Sequence, residues 1–214
     1  MEGTGETITQ EIPVAMLNAI EVEGSMDVTV LRGDTQKVEV TAQPELIDLI
    51  RTKVDNGVWK IGTMKGYSSD REFTVRITVP ALNTVILEGS GDVTTEGVYN
   101  TGKTHLANRG SGQIRIDTLR ESLLEVLSEG SGDIVIGSGE CREMNVRLTG
   151  SGGLRAGDLC ATHAKAELSG SGTMVIDVLD TLTANLTGSG DLRYRGAPVV
   201  ISNAVGSGSL IAMP

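Results

Sequence analysis

Apolar and polar positions alternate along most of this chain, and from residue 89 onward the alternation restarts at near-constant intervals. Each restart is marked by a Gly-Ser-Gly tripeptide: Gly89-Ser90-Gly91, Gly110-Ser111-Gly112, Gly130-Ser131-Gly132, Gly150-Ser151-Gly152, Gly170-Ser171-Gly172, Gly188-Ser189-Gly190 and Gly206-Ser207-Gly208. The first glycines lie 21, 20, 20, 20, 18 and 18 residues apart. A fixed period of this length is the mark of stacked repeats, each too small to bury its own apolar face. A degenerate copy, Gly24-Ser25-Met26-Asp27, occurs once upstream.

Aligned on these tripeptides, the fourth position of each repeat reads Asp92, Gln113, Asp133, Gly153, Thr173, Asp191 and Ser209. The fifth is always apolar: Val93, Ile114, Ile134, Leu154, Met174, Leu192 and Leu210. The seventh is mostly apolar again, so the step is two residues, as in a strand with one face inward. A second run of the same period ends two residues before each tripeptide, through Leu124-Val126-Ser128, Met144-Val146-Leu148 and their equivalents. Val98, Leu119, Leu159 and Leu179 are expected to point inward at the opposite bend. The pattern predicts an all-β fold: a β-solenoid wound by a single chain in coils of about 20 residues, with right-handed winding expected. Glycine at the corner is expected to allow positive φ or a sharp bend. The serine hydroxyls are expected to stack in a ladder, a structural role with no base at a fixed offset to activate them.

Residues 7–88 do not keep the period. Ile20–Leu31 alternates with a break at Gly24-Ser25, Val38–Thr41 and Phe73–Val79 alternate, and Pro44–Leu49 reads as a helical turn. Asn56-Gly57 between Lys53-Val54-Asp55 and Val58-Trp59-Lys60-Ile61 is a two-residue hairpin signal. Successive hairpins predict an antiparallel β-rich cap over the first coil, packed with the solenoid of residues 89–214 as one domain, with Trp59 between the two. Capping matters because a bare coil end offers unpaired strand edges. Residues 1–6 read as a disordered leader, and little sequence follows the last coil, so self-association through that open end is expected.

Composition narrows the chemistry. Twenty-eight glycines against five prolines fit many tight turns, and with aromatics at 2% the core must be aliphatic. A net charge of −10 without a basic stripe disfavours a nucleic-acid partner. No 18-residue apolar run is present to span a membrane. Cys141 and Cys160, 19 residues apart, fall near one corner of neighbouring coils; a disulfide and two unrelated thiols both remain open readings. The fourth-position carboxylates Asp92, Asp133 and Asp191 are interrupted by other residues, unlike the close pair a glycosidase needs, and read as solvated. Arg115, Arg155 and Arg193 alternate with Val135 and Val175 as a spaced stripe. His105 and His163 sit at different offsets and are expected not to cooperate. No catalytic, cofactor-binding or metal-binding residue is expected.

The Gly-Ser-Gly coils, the Val54-Asp55-Asn56-Gly57 hairpin and the stretch Leu186-Thr187-Gly188-Ser189-Gly190-Asp191-Leu192-Arg193-Tyr194-Arg195-Gly196-Ala197-Pro198 together resemble the auto-transporter adhesin family, also called the head GIN domain. The resemblance runs from about Ile12 to Ala212. It implies an exported bacterial β-solenoid protein, often a lipoprotein, at the periplasm, outer membrane or cell surface, with its signal sequence removed from this chain. It also implies a non-enzymatic, adhesin-like role in binding a glycan or protein. The alternatives are a structural or regulatory envelope protein that binds a protein partner and, last, a carbohydrate-active enzyme.

Overall fold

The computed structural model describes residues 1–99 and 101–214, with the side chains of Val98 and Tyr99 outside the described part. Its strands are β1 (Ile8–Glu11), β2 (Ala19–Val22), β3 (Asp27–Arg32), β4 (Lys37–Ala42), β5 (Val54–Asp55), β6 (Val58–Ile61), β7 (Thr74–Val79), β8 (Thr84–Leu87) and β9 (Val93–Tyr99) in the first half. The second half holds β10 (Lys103–Asn108), β11 (Ile114–Ser128), β12 (Ile134–Leu148), β13 (Leu154–Leu168), β14 (Met174–Leu186), β15 (Leu192–Arg195), β16 (Val199–Ala204) and β17 (Leu210–Ala212). One short helix, α1 (Pro44–Ile47), starts at its proline, whose missing N–H has no partner to lose there.

The solenoid forms as the spacing predicts. Val93, Ile114, Ile134, Leu154, Met174 and Leu192 are fully buried and pair in register, each over the next, in parallel strands. Leu106, Val126, Val146, Ala166 and Ala184 make a second continuous column. Each 15-residue strand wraps two bends without a turn: in β11 the inward positions are Ile114, Ile116, Leu119, Glu121, Leu124, Val126 and Ser128. The in–out phase slips by one residue at each bend, which gives the coil three sides where the alternation alone suggested two.

At the opposite bend Leu119 and Leu159 are buried as expected, but Leu179 is 58% exposed. The 18-residue coil is the cause. Ile176 pairs with Ala156 and the next residue, Asp177, with Cys160, so Val178 takes the inward place. The expectation for Val98 lies outside the described residues.

The Gly-Ser-Gly corner keeps the expected sharp bend largely without positive φ, and its ladder is not the one expected of the hydroxyls. Of its glycines, only Gly206 has a positive φ. What excludes a side chain elsewhere is close approach: a Cβ on Gly112 would overlap the Gly91 carbonyl, and one on Gly152 the Gly132 carbonyl. The ladder is made by the backbone, with Ser131 N–H donating to Gly110 O at 3.0 Å and Ser151 N–H to Gly130 O at 3.2 Å. The hydroxyls face solvent; the Ser207–Ser189 pair, at 3.2 Å, forms the expected contact.

The cap holds antiparallel pairs, β1–β4, β4–β7 and the β5–β6 hairpin, whose Asn56 and Gly57 both have positive φ. It also holds something the period hid. β2–β3, bent at Gly24-Ser25, pairs in parallel with β8–β9 on one side and β6–β7 on the other. The chain lays down one coil, crosses to the outer layer, then returns to continue the stack on the coil's free side. Trp59, fully buried, ends the second column above Ile20, Val85 and Leu106. Residues 1–6, expected to be disordered, lie against the cap: Gly3 N–H donates to Ser68 O at 2.9 Å, and the Thr4 hydroxyl to Glu45 at 2.8 Å.

Candidate functional site

The fourth-position aspartates are structural. Asp92 accepts from Gln113 N–H at 2.7 Å, Asp133 from Gly153 N–H at 2.8 Å, and Asp191 from Ser209 N–H at 3.0 Å. Asp27 does the same for Asp92 at 2.8 Å, in the coil that the sequence showed only as a degenerate copy. Each carboxylate thus ties its coil to the next, a role invisible until the coils are stacked. The arginine stripe lies beside this column, with Arg155 on Asp133 at 2.9 Å and Arg115 on Gln113 at 3.1 Å. These contacts occupy the groups that a catalytic reading would need free.

The outer face of β10–β14 is a regular surface of parallel strands paired in register. Register sets His105, Glu125, Asn145, Lys165 and Thr183 in one outward row and Arg147, Glu167, Asn185 and Asn203 in the next. Opposite charges meet across coils, Lys103–Glu125 at 3.0 Å and Arg147–Glu167 at 2.8 Å, and within β13, Lys165–Glu167 at 2.8 Å. Hydrogen bonds from Lys165 and then Arg147 hold the Glu167 carboxyl below its ordinary range. Two depressions of about 390 and 410 Å³ share Arg147 and Glu167. No Trp, Tyr or Phe stands on this face. His105 and His163 are each 3.5 Å from a different carboxylate, Glu125 and Asp180.

A larger groove of about 900 Å³ lies in the cap, with Ile12, Ile47, Ile50, Val58 and Met64 among its walls and Arg51, Lys53 and Lys60 among its polar groups. Beside it Glu21, Glu23 and Glu88 bring their carboxylates together. Each already has a cation: Lys60 on Glu21 at 2.8 Å, Arg51 on Glu23, and Arg109 on Glu88 at 3.0 Å. That leaves little charge for a metal.

The two cysteines are free thiols. Cys141 pairs with Ala161 and Cys160 with Glu140, so the 19-residue spacing in a 20-residue coil leaves them one step out of register. Strand alternation then turns Cys141 inward, 4% exposed, and leaves Cys160 half-buried. This geometry does not form the disulfide that remained open in the sequence. Burial, then the neighbouring Cys160 and Glu121, pushes the Cys141 thiol up to about 12. Both thiols line a pocket of about 490 Å³ at the bend.

Comparison with known proteins follows this architecture closely. The family model described as "Putative auto-transporter adhesin, head GIN domain" matches residues 17–198. A putative adhesin from Bacteroides fragilis superposes with a TM-score of 0.93 at 22% identity, covering 100% of both chains. One from Parabacteroides distasonis gives 0.81 at 25% identity over 99% of each. A putative lipid binding protein from the same species gives 0.75 at 22% identity, over 100% of this chain and 99% of that one. No curated protein matches.

Proposed function

The chain belongs to the auto-transporter adhesin, head GIN domain family, and from that premise we propose that it is a non-enzymatic, exported envelope protein whose outer β10–β14 face binds a protein partner. The observation that carries this is the cluster of paired opposite charges, Lys103–Glu125 and Arg147–Glu167–Lys165, on a face without aromatics. Sugar rings commonly rest on aromatic platforms; a complementary protein surface needs only opposed charge and shape. A stack of backbone-bonded coils holds the charges in fixed register, which reduces the ordering cost of association. The location outside the cytoplasm rests on the family's adhesin and auto-transporter character. No helix among the described residues is long and apolar enough to cross a membrane.

The test is capture from envelope fractions by the immobilised protein, against a glycan array in parallel. Arg147→Glu with Lys165→Glu is expected to weaken capture by about tenfold or more, and capture should fall as salt rises. Glycan binding with no reproducible protein partner would overturn the choice of partner. A second reading places an apolar or amphipathic ligand in the cap groove, favoured by its aliphatic walls and by what the lipid-binding relative is called. It predicts binding that Met64→Asp removes and the face reversals leave intact.

The last coil supports self-association. Val199, Ile201 and Val205 are 60–67% exposed. β16 pairs with β14 and β17 with β15, each leaving one edge without a strand among the described residues. The cap covers the other end, so pairing of two such ends forms a closed dimer rather than a fibre. Light scattering is expected to show dimers that Ile201→Lys dissociates. A monomer throughout the micromolar range removes the idea.

A further inference from the structure

The last coil carries no charged side chain. Residues 196–214 hold no Asp, Glu, Lys, Arg or His, whereas the stretch just before, 177–195, holds Asp177, Asp180, Asp191, Arg193 and Arg195. Edge strands that stay in water are commonly guarded by charge, and charged residues are depleted where interfaces close. A chain of net charge −10 repels its own copy over much of its surface. On this coil two copies can meet without bringing like charges together. Val205 N–H donates to Leu186 O at 2.7 Å. Strand alternation then turns the N–H and C=O groups of Val199, Ile201 and Asn203 the same way, towards β14. Those of Val200, Ser202 and Ala204 point to the edge that has no strand among the described residues. Their side chains stand over the buried Leu182, Ala184 and Leu186, as the next steps of the inward columns.

Resting on the self-association proposed for this coil, we infer that two copies join β16 to β16 in antiparallel register, about a twofold axis at Ser202. Inward residues must lie opposite inward residues across the joint, or one copy's core row would turn to water. With Ser202 opposite itself, Val200 meets the partner's Ala204, and the free N–H and C=O groups of Val200, Ser202 and Ala204 are all paired. On the outer side Val199 lies against the partner's Val205, and Ile201 reaches the partner's Ile201 and Val205 on the diagonals. The neighbouring registers are poorer. Centred on Ile201, the ladder brings Pro198, which has no N–H to give, opposite the partner's Ala204. Centred on Asn203, it sets Val200 opposite the partner's Gly206, past the end of the strand. The twofold uses the same patch on both copies and closes on itself. It also turns the β10–β14 faces of the two copies the same way, as one surface.

The test is disulfide trapping of the full chain in a Cys160→Ser background, where Cys141 stays buried, with free thiols capped before electrophoresis. Ser202→Cys sets two thiols on Cα atoms about 5.5 Å apart, inside the disulfide range. It is expected to give a covalent dimer at least about tenfold faster than Ser131→Cys, an exposed corner position that reports random collision. Val199→Cys combined with Val205→Cys should crosslink as well. Val199→Cys alone should not, since its two copies would lie about 20 Å apart. Circular dichroism and light scattering of the reduced variants check fold and association separately; should Ser202→Cys fail either, the Val199→Cys, Val205→Cys pair decides. Dimers in which Ser202→Cys crosslinks no faster than Ser131→Cys, or Val199→Cys crosslinks alone, would overturn this register and leave self-association standing. Monomers at micromolar concentration would overturn both, and assemblies larger than dimers would overturn the twofold.

Discussion

Gly152→Ala is expected to cost about 3 kcal/mol or more of folding stability, while Ser151→Ala, one residue away, stays within about 0.5 kcal/mol. The added methyl would overlap the carbonyl of Gly132 and the backbone of Ser131. Both atoms belong to a ladder continued in the next coils, so relief requires displacing backbone rather than rotating a side chain. The serine hydroxyl points to solvent, and its backbone N–H, which makes the bond to Gly130 O, survives substitution. Urea unfolding checks the pair: the midpoint should fall sharply for Gly152→Ala with little change in slope. Equal midpoints for the two variants would mean that the corner is not held by glycine–carbonyl packing.

Trp59→Ala is expected to be as severe, at about 3–5 kcal/mol for the truncation, with about 1–3 kcal/mol more for the acceptor left behind. Trp59 is fully buried at the head of the column through Ile20, and its Nε1–H donates to Arg51 O at 2.7 Å. Removing it empties the layer where the cap meets the first threaded coil. Trp59→Phe retains most of the packing and loses the donor, so about 1–3 kcal/mol is expected. As the chain has one tryptophan, wild-type fluorescence reports this layer directly and should redden on unfolding together with the loss of circular dichroism. A Trp59→Ala protein with unchanged thermal midpoint would show that the cap does not depend on this side chain.

Much of the architecture was legible from residue order because a solenoid is local in its logic. Strand alternation needs only neighbours two apart, and stacking needs only one spacing repeated. Hence the Val93–Leu192 column, the coil corners and the Asn56-Gly57 hairpin all stand where the sequence put them. The 18-residue intervals also announced their consequence, a shortened coil, although not which side chain would be expelled. That was Leu179, decided by how Asp177 and Val178 pair with the coil before.

What the residues determined by themselves was the repeat, the inward rows and the lack of aromatic or basic surface. Tertiary structure alone decided that Ala19–Arg32 is a coil threaded between later segments, since Gly24 and Gly89 stack although 65 residues separate them. It also decided that aspartates read as solvated bind the next coil's N–H groups, and that Cys141 and Cys160 diverge while Glu121 and Cys141 converge. The reason is physical: a period reports which residues share a row. Whether a side chain meets a backbone donor, a carbonyl or nothing depends on the coil above it, and a one-residue slip of register reverses every answer.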